Sequence, residues 1–426
     1  MFTTLKNAWK IPDLRKKMLF TLFMLIVYRL GANIPIPFIN ADYIKDLFNS
    51  DSNGLLGMFD LMSGGAFKRM TIFALNIYPY VTASIIIQLL TIAIPRLEAL
   101  SREGEEGRKK LAQFTRYGTV IFALIQAIGI SVGLFNQAII EQTFGAKAIV
   151  IITMTAGTAF LMWLGEQITE NGIGNGISLI IFIGIIAQLP MALLDMGQSV
   201  ISGNLNPLQA ALFLVLALGV IAGIVAIQDG SRKIPVQYAK RVVGRKMYGG
   251  QSTHIPLKVL MAGVIPVIFS TSLLAFPQTL AFFFDQQSGF TMFVQKWLTQ
   301  SSTPGIYVYS TINVLLIIFF TYFYTAIQFN PVDYANNLKQ YDGFIPGVRP
   351  GKPTADYLNR VLSRITIVGA LSLAVISNLP AVLTTLAGYP IGFGGTGLLI
   401  VVGVALETVK QVESQMLTRH YKGFLN

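Results

Sequence analysis

Few side chains in this sequence could make or break a bond. There is no Cys, and the two His, His254 and His420, have no partner at metal-ligand spacing. Disulfides, thiolate metal sites and cysteine nucleophiles are therefore excluded. The stretch Gly104-Glu-Glu-Gly107 lacks the spacing of a phosphate-binding loop, and no strand pattern precedes it. Inside the long apolar runs the charged candidates are Arg29, Glu166, Asp229 and Glu407. Each lies within about two helical turns of a run's end, where a long side chain can snorkel to water. A proton relay needs titratable groups near the membrane midplane, and none stands there. An intramembrane hydrolase would have only Ser or Thr arrangements without a base. No catalytic residue, metal-ligand set or cofactor is expected. A sodium site of backbone carbonyls at a broken helix passes this test and stays open.

The residues that do recur at useful spacing are aliphatic. Ile77, Val81 and Ile85 fall every four positions, as do Ile177 and Ile181, which places each set on one helix face. By itself that pattern fits a core or lipid-facing stripe equally well. The small pairs Gly129/Gly133 and Gly219/Gly223 are expected to mark close helix packing.

The elements that carry these residues follow from composition. Of 426 residues, 53% are hydrophobic and only 12% charged, about half the roughly 25% charge of a soluble globular chain. Mean hydropathy is +0.60. So few charges could not cover a soluble protein of this length, and the chain reads as a polytopic membrane protein. Ten apolar runs are long enough to cross about 30 Å of hydrocarbon: 18–36, 72–94, 117–135, 146–165, 177–194, 208–228, 257–284, 306–328, 365–386 and 392–409. The first lacks a small-x-small cleavage site and is expected to be a span, not a removed signal.

Lys and Arg exceed Asp and Glu by 12, and their placement is one-sided. Of the 32 basic residues, 26 fall before span 1 or after the even spans and 5 in the opposite segments, counting the span-end residues Lys258 and Lys147 with the segments they adjoin; Arg29 lies inside span 1. The positive-inside rule then puts both termini and the basic loops in the cytoplasm. The charge is mostly topology and does not require nucleic acid. Ten spans divide into five and five, and an odd number per half inverts the second half relative to the first. Such folds place a pathway at the interface between the halves.

Three segments break a plain bundle. Leu55–Arg69, on the outer side, is too short to span, and Gly64-Gly65 would stop or bend a helix. Both a re-entrant, cavity-seated helix and an interfacial amphipathic helix fit it. Pro79 falls inside span 2, and Pro266 and Pro277 inside span 7, where each is expected to kink its helix. The cytoplasmic stretches 229–256 and 329–363 are long for connectors. Their basic residues suit anionic lipid, ribosomal RNA or an acidic protein face, while solvated topogenic charge is the plainer reading. A ten-span secondary transporter with a broken helix at Asn76–Pro79 and an insertase scaffold without a pore both remain open at this point.

Seven runs, taken together, carry a family resemblance. They are YVTASIIIQLL (80–90), REGEEGRKKLAQFTRYGT (102–119), FLMWLGEQITENGIGNGIS (160–178), QSTHIPLKVLMAGVIPVIF (251–269), FNPVDYANNLK (329–339), PGVRPGKPT (346–354) and FGGTGLLIVV (393–402). Nearly end to end, the chain resembles the SecY family, channel subunits of the bacterial protein-translocation complex. The resemblance implies an all-α membrane protein: ten transmembrane helices in two inverted five-helix halves around a central pore, with a short outer plug helix. The halves would cover 1–195 and 196–410, leaving 411–426 as a cytoplasmic tail.

By motif position the family's pore ring maps to Ile77, Val81, Ile177, Ile181, Ile268 and Ile400. The plug maps to 55–69, with Leu55, Met58, Phe59, Leu61, Met62, Gly64, Gly65 and Phe67 as its apolar and hinge residues. A lateral gate between spans 2, 3, 7 and 8 would include Thr82, Ile85, Gln88 and Phe276. Docking of a motor or ribosome would use Lys240, Arg241, Arg245, Lys246 and Arg349. Val81 stands where Ile is more usual in the family and keeps the ring aliphatic; Asn76 stands where many relatives have Gly. His254 falls in the QSTH motif and is expected to be loop structure.

The implied partners are SecE- and SecG-type small subunits, the SecA ATPase, the ribosome, precursors with signal peptides, and anionic lipid. The implied location is the bacterial cytoplasmic membrane. The implied activity is passive conduction of unfolded polypeptide across that membrane, with lateral release of transmembrane segments into it.

Overall fold

The computed structural model describes residues 2–50, 60, 63–203, 205–238, 241–243, 246–248, 252–284, 288–299, 303–387 and 395–420. Helices α1 (Phe2–Trp9), α2 (Pro12–Gly31) and α3 (Ala41–Ser50) open the chain. They are followed by α4 (Tyr78–Ala93), α5 (Pro95–Arg102) and α6 (Glu105–Ile128), the last running into a π-helical turn Gly129–Leu134. Next come α7 (Phe144–Asn171), α8 (Gly176–Ile201) and α9 (Pro207–Asp229). Short strands β1 (Ser231–Tyr238), β2 (Arg241–Val243), β3 (Lys246–Tyr248) and β4 (Ser252–Lys258) lead to α10 (Ile265–Ala281), α11 (Gly289–Trp297) and α12 (Thr303–Gln328). The chain closes with α13 (Pro331–Gln340), β5 (Gly343–Phe344), α14 (Lys352–Ala387) and α15 (Gly395–His420).

Each predicted span overlaps one of these helices. Among the described residues, six helical segments are long and apolar enough to cross a membrane, or seven if α4 and α5, bent by 101° at Ile94-Pro95, count as one. Local signals set the boundaries. Asn175, Asn206 and Asn330 each accept a backbone N–H of the next turn, from Ser178, Leu208 and Val332, and so cap α8, α9 and α13. Pro207 and Pro331 at the first helical position need no donor there.

Spans 2 and 7 correct the sequence reading. Their helices begin at Tyr78 and Ile265, not at 72 and 257. Pro79 and Pro266 therefore occupy the second helical position, where a missing N–H leaves nothing unpaired, and start helices instead of kinking them. Only Pro277 sits inside its helix as expected. Both helices are entered the same way. Asn76 (φ 51°) and Gly263 (φ 58°) are left-handed, and Ile77 (φ −97°, ψ 2°) and Val264 (φ −94°, ψ −3°) follow in nearly identical conformations. Asn tolerates that region better than other non-glycine residues.

The two long basic stretches are not separate loops. Strands β4, β1 and β5 form one antiparallel sheet in that order, with Ile234 opposite Ile255 and Gln237 opposite Phe344. Ile234, Val236 and Leu257 turn inward against Phe329, Leu338, Ile345, Leu358, Val361 and Leu362. Residues from 229–256 and 329–363 thus share a small core. Helix α14 already begins at Lys352, and α15 runs on to His420, so 411–420 of the expected tail is helical. His254 lies in strand β4 opposite Pro235, not in a loop.

The glycine pairs behave differently. Gly129 and Gly133 are tightly packed, as expected. Gly219 and Gly223 are not: a Cβ at either would meet nothing within 4 Å, so that part of α9 faces outward.

Candidate functional site

Ile77, Val81, Ile177, Ile181, Ile268 and Ile400 come from four separated stretches, and the fold brings all six into one contiguous apolar cluster. Ile77 immediately precedes α4 and Val81 lies in its first turn; Ile177 and Ile181 open α8; Ile268 is in the first turn of α10 and Ile400 in the second turn of α15. Five are buried and Ile177 is partly buried. Branched aliphatic side chains in such a cluster hold no hydrogen-bonding group for water or ions.

Of the predicted plug residues, Leu55, Met58, Phe59, Leu61 and Met62 lie outside the described residues. Gly64, Gly65 and Phe67 belong to a series of turns over 64–70, not to a helix. The turn is seated, not lying at an exposed interface. A Cβ on Gly64 would fall 2.8 Å from both Cα and the carbonyl oxygen of Gly184 on α8, so backbone meets backbone there. The Gln188 side chain donates to the Asp60 carbonyl oxygen (2.8 Å), and the Tyr28 hydroxyl to that of Ser63 (3.5 Å). Phe67 packs edge-on against Phe48 and Phe135. Arg69 donates to the Asn33 side chain.

The Asp60 carboxylate accepts the Lys68 backbone N–H at 2.7 Å and closes this turn. Burial raises its pKa, an effect only partly offset by that hydrogen bond and by the charges of Lys68 and Arg69. A carboxyl whose folded pKa is raised favours the folded turn most when protonated. That contribution is complete below the ordinary carboxylate value and is lost as pH rises through the raised one. Hydrogen-exchange protection of Phe67 and Lys68, corrected for intrinsic rates, should therefore fall across that window. In Asp60→Asn it should stay flat; an unchanged pH profile in that variant would rule the mechanism out.

Predicted gate residues lie on α4 and α10, which pack against each other. Ile85 is buried in the central cluster and Phe276 is half-buried. The Thr82 hydroxyl donates to the Tyr78 carbonyl (3.0 Å), so its donor is used within its own helix. Gln88 donates to the Ser84 hydroxyl (3.5 Å), while its buried Oε1 has no partner. Glu166 and Asp229, two of the span-end charges, are ion-paired at the rims, with Arg116 (2.8 Å) and Lys410 (2.6 Å).

Lys240 and Arg245 lie outside the described residues. Arg241 and Lys246 fall on the hairpin β2–β3, with Val243 opposite Lys246. Arg349 is exposed between β5 and α14, its carbonyl accepting the Thr354 hydroxyl at 2.8 Å.

One buried polar network is uncharged and so lies outside a reading of membrane-interior charges. The Ser270 hydroxyl donates to the Asn313 Oδ1 (2.7 Å), and the Asn313 amide nitrogen reaches Ser377 and Asn378 (3.3 Å each). This ties α10, α12 and α14 together. Single Asn residues inside the apolar runs 306–328 and 365–386 were the signal.

Comparison with known proteins agrees with this architecture. The sequence model of the SecY family matches residues 71–409. Protein translocase subunit SecY of Streptomyces scabiei is 47% identical over 448 aligned residues, that of Halalkalibacterium halodurans 48% over 439, and that of Bacillus subtilis 47% over 440, each covering all of both chains. A solved structure described as that of a protein conducting channel superposes with a TM-score of 0.68 at 20% identity, over 95% of this chain and 93% of that one. Sec61 in the canine ribosome-channel complex from the endoplasmic reticulum gives 0.63 at 18% identity, over the same 95% and 93%. The distant structures establish the helical membrane fold, and the full-length relatives establish the rest: this chain belongs to the SecY family of protein translocase subunits.

Proposed function

We propose that the chain is a passive protein-conducting channel of a bacterial cytoplasmic membrane. Unfolded secretory polypeptide crosses through it, and transmembrane segments leave it sideways into lipid. The observation that carries this reading is the gathering of six aliphatic residues, from the starts of four helices, into one cluster. Such a constriction obstructs ions without a buried charge, yet tolerates any passing sequence because it offers no hydrogen bond. The seated turn at Asp60–Met70 supports a plug resting against the same α8 that carries Ile177 and Ile181. A released segment partitions by its own apolar area, so the channel needs no chemistry of its own.

The halves are 1–195 and 196–410, inverted relative to each other, with both termini cytoplasmic. The matching entries to α4 and α10, at Asn76 and Gly263, support that repeat. SecE- and SecG-type small subunits complete the channel. The SecA ATPase or a translating ribosome supplies the energy by docking on the basic module that carries Arg241, Lys246 and Arg349.

The test is protease protection of a labelled secretory precursor. Vesicles would hold this chain with its SecE-type partner, with SecA and ATP outside. Protection should require both the chain and ATP. In the same assay Arg349→Glu, an exposed change, should lower ATP-driven export about tenfold or more while thermal unfolding stays unchanged. Equal export by that variant would remove Arg349 from the docking surface. No protection from vesicles holding oriented, folded chain would reject the channel and make ion-coupled solute uptake the next assay.

A further inference from the structure

We infer that the short helix α11 (Gly289–Trp297) is an interfacial lipid anchor: its exposed aromatic stripe inserts into the leaflet opposite the basic sheet, at the boundary between phospholipid headgroups and acyl chains. Such an anchor requires only that the chain spans a membrane, so it does not rest on the channel reading. Strand β4 leads into one end of α10 and α11 follows the other, which puts α11 on the far side of the membrane from that sheet. At 9 residues it is about 14 Å long and too short to cross.

The residues of α11 sort into three faces. Thr291 and Val294, three apart, are buried against the protein. Phe290, Phe293 and Trp297 recur at i, i+3 and i+7 and are 39%, 55% and 36% exposed. Gln295 and Lys296 are exposed on the remaining flank, which they share with Met292. A surface helix in water turns its large apolar side chains inward. Here the inward face carries Thr and Val, while the three aromatic rings point away from the protein. The stripe also continues past the helix. Phe283 and Phe284, just beyond α10, are exposed, and the Phe284 ring centre lies 5.3 Å from that of Phe290. A contiguous run of exposed aromatic rings marks an interaction surface.

Bilayer phospholipid is the occupant whose chemistry fits. Aromatic rings concentrate at both membrane–water boundaries, where an apolar body meets acyl chain and a polar edge stays wet. Lys296 completes the pattern, its Nζ lying 5.4 Å from the Trp297 ring centre; a cation beside an indole matches a phosphate above the hydrocarbon. The surface is continuous with one that faces hydrocarbon, because α12 packs on α11 and exposes Leu315 and Phe319 further along its length. The anchor is also fastened. The Thr291 hydroxyl donates to the Ala281 carbonyl (3.5 Å), and the Gln278 side chain donates to the Leu298 carbonyl (2.6 Å). Gln278 and Ala281 form the last turn of α10, so lipid binding by α11 fixes the depth of that end of α10 in the bilayer.

The chain has 3 Trp, so Trp9→Phe/Trp163→Phe leaves Trp297 as its sole indole. That full chain, reconstituted with a Trp-free SecE-type partner, is placed in vesicles whose phospholipids carry a nitroxide at the headgroup, high on the acyl chain or near the chain end. Quenching of Trp297 should be strongest from the two shallow labels and weakest from the chain end, with iodide on both sides of the membrane quenching only feebly. Strong iodide quenching without lipid quenching would put the helix in water. Quenching by neither would show the stripe covered by protein, and strongest quenching from the chain end would put it in the hydrocarbon interior. Each of these three results overturns the inference, and none depends on altering the stripe. Phe293→Asp should then at least about halve the quenching by shallow lipid labels and raise that by iodide, whereas Gln295→Glu on the polar flank should change neither. An unchanged quenching order in folded Phe293→Asp would remove the stripe as the anchor. Polypeptide transport is not among the readouts, so failure here is distinguishable from failure of the channel reading.

Discussion

Vesicles carrying Ile268→Asn are expected to leak small ions at least about tenfold faster than vesicles carrying the unchanged chain. Ile268 is buried in the first turn of α10 and shares its cluster with Ile77, Val81, Ile181 and Ile400. An amide placed there either stays unpaired, at a cost of roughly 1–3 kcal/mol, or recruits water to satisfy itself. Both outcomes undo the dry seal: the first loosens the cluster and the second wets it. Ile181→Asn, on α8 in the same cluster, should leak similarly. Ile268→Leu conserves volume and polarity and should leave the leak at baseline. The measurement is conductance across a planar bilayer or dye-reported ion flux from vesicles. No rise for either Asn variant would remove both residues from the constriction.

The second large effect is expected at Gly64. Its φ of +70° lies in the left-handed region, and its Cα faces the Gly184 backbone with no room for a side chain. Gly64→Val therefore meets two penalties. A β-branched residue in that conformation costs about 1–2 kcal/mol. Wedging a side chain into the contact adds about 1–3 kcal/mol. The turn can escape both by leaving α8, which would also break the hydrogen bonds from Gln188 and Tyr28. The variant should show a persistent ion leak and rapid exchange of the Phe67 and Lys68 amides. Gly203→Val separates the two penalties: that glycine also has positive φ (+77°), but an added Cβ meets nothing within 4 Å. It should lose a little stability and keep the seal. If Gly64→Val seals as well as Gly203→Val, the contact with Gly184 does not hold the turn.

These two experiments probe features that were visible in the sequence to different degrees. Helix positions were legible because crossing hydrocarbon demands about 20 apolar residues in a row, and that demand acts locally on composition. The uneven placement of basic residues was legible too, since 26 of 32 lie in one set of segments, and it carries the expectation of sidedness. The expected ring residues came from motif position in a family resemblance, because aliphatic periodicity looks the same on a lipid face and on a pore. Their convergence needed the fold: Ile77 and Ile400 are distant in sequence, and only packing of four helix starts puts them together.

Other features depended on tertiary contacts from the outset. Pro79 and Pro266 read as helix breakers because the sequence does not show that a left-handed residue three positions earlier has ended the preceding segment. The stretches 229–256 and 329–363 each looked like an isolated loop, since neither contains enough apolar residues for a core of its own. Pairing Ile234, Val236 and Leu257 with Leu338 and Leu358 supplies one jointly. The two glycine pairs have the same spacing, yet Gly133 touches a carbonyl and Gly219 touches nothing. By itself, then, the sequence determined that this chain lies in a membrane, roughly where its apolar helices run and which family it resembles, because the bilayer acts on composition residue by residue. Which aliphatic side chains meet, which glycines are in contact and how the turn at Asp60 is seated were decided only by tertiary structure, because each depends on a partner distant in sequence.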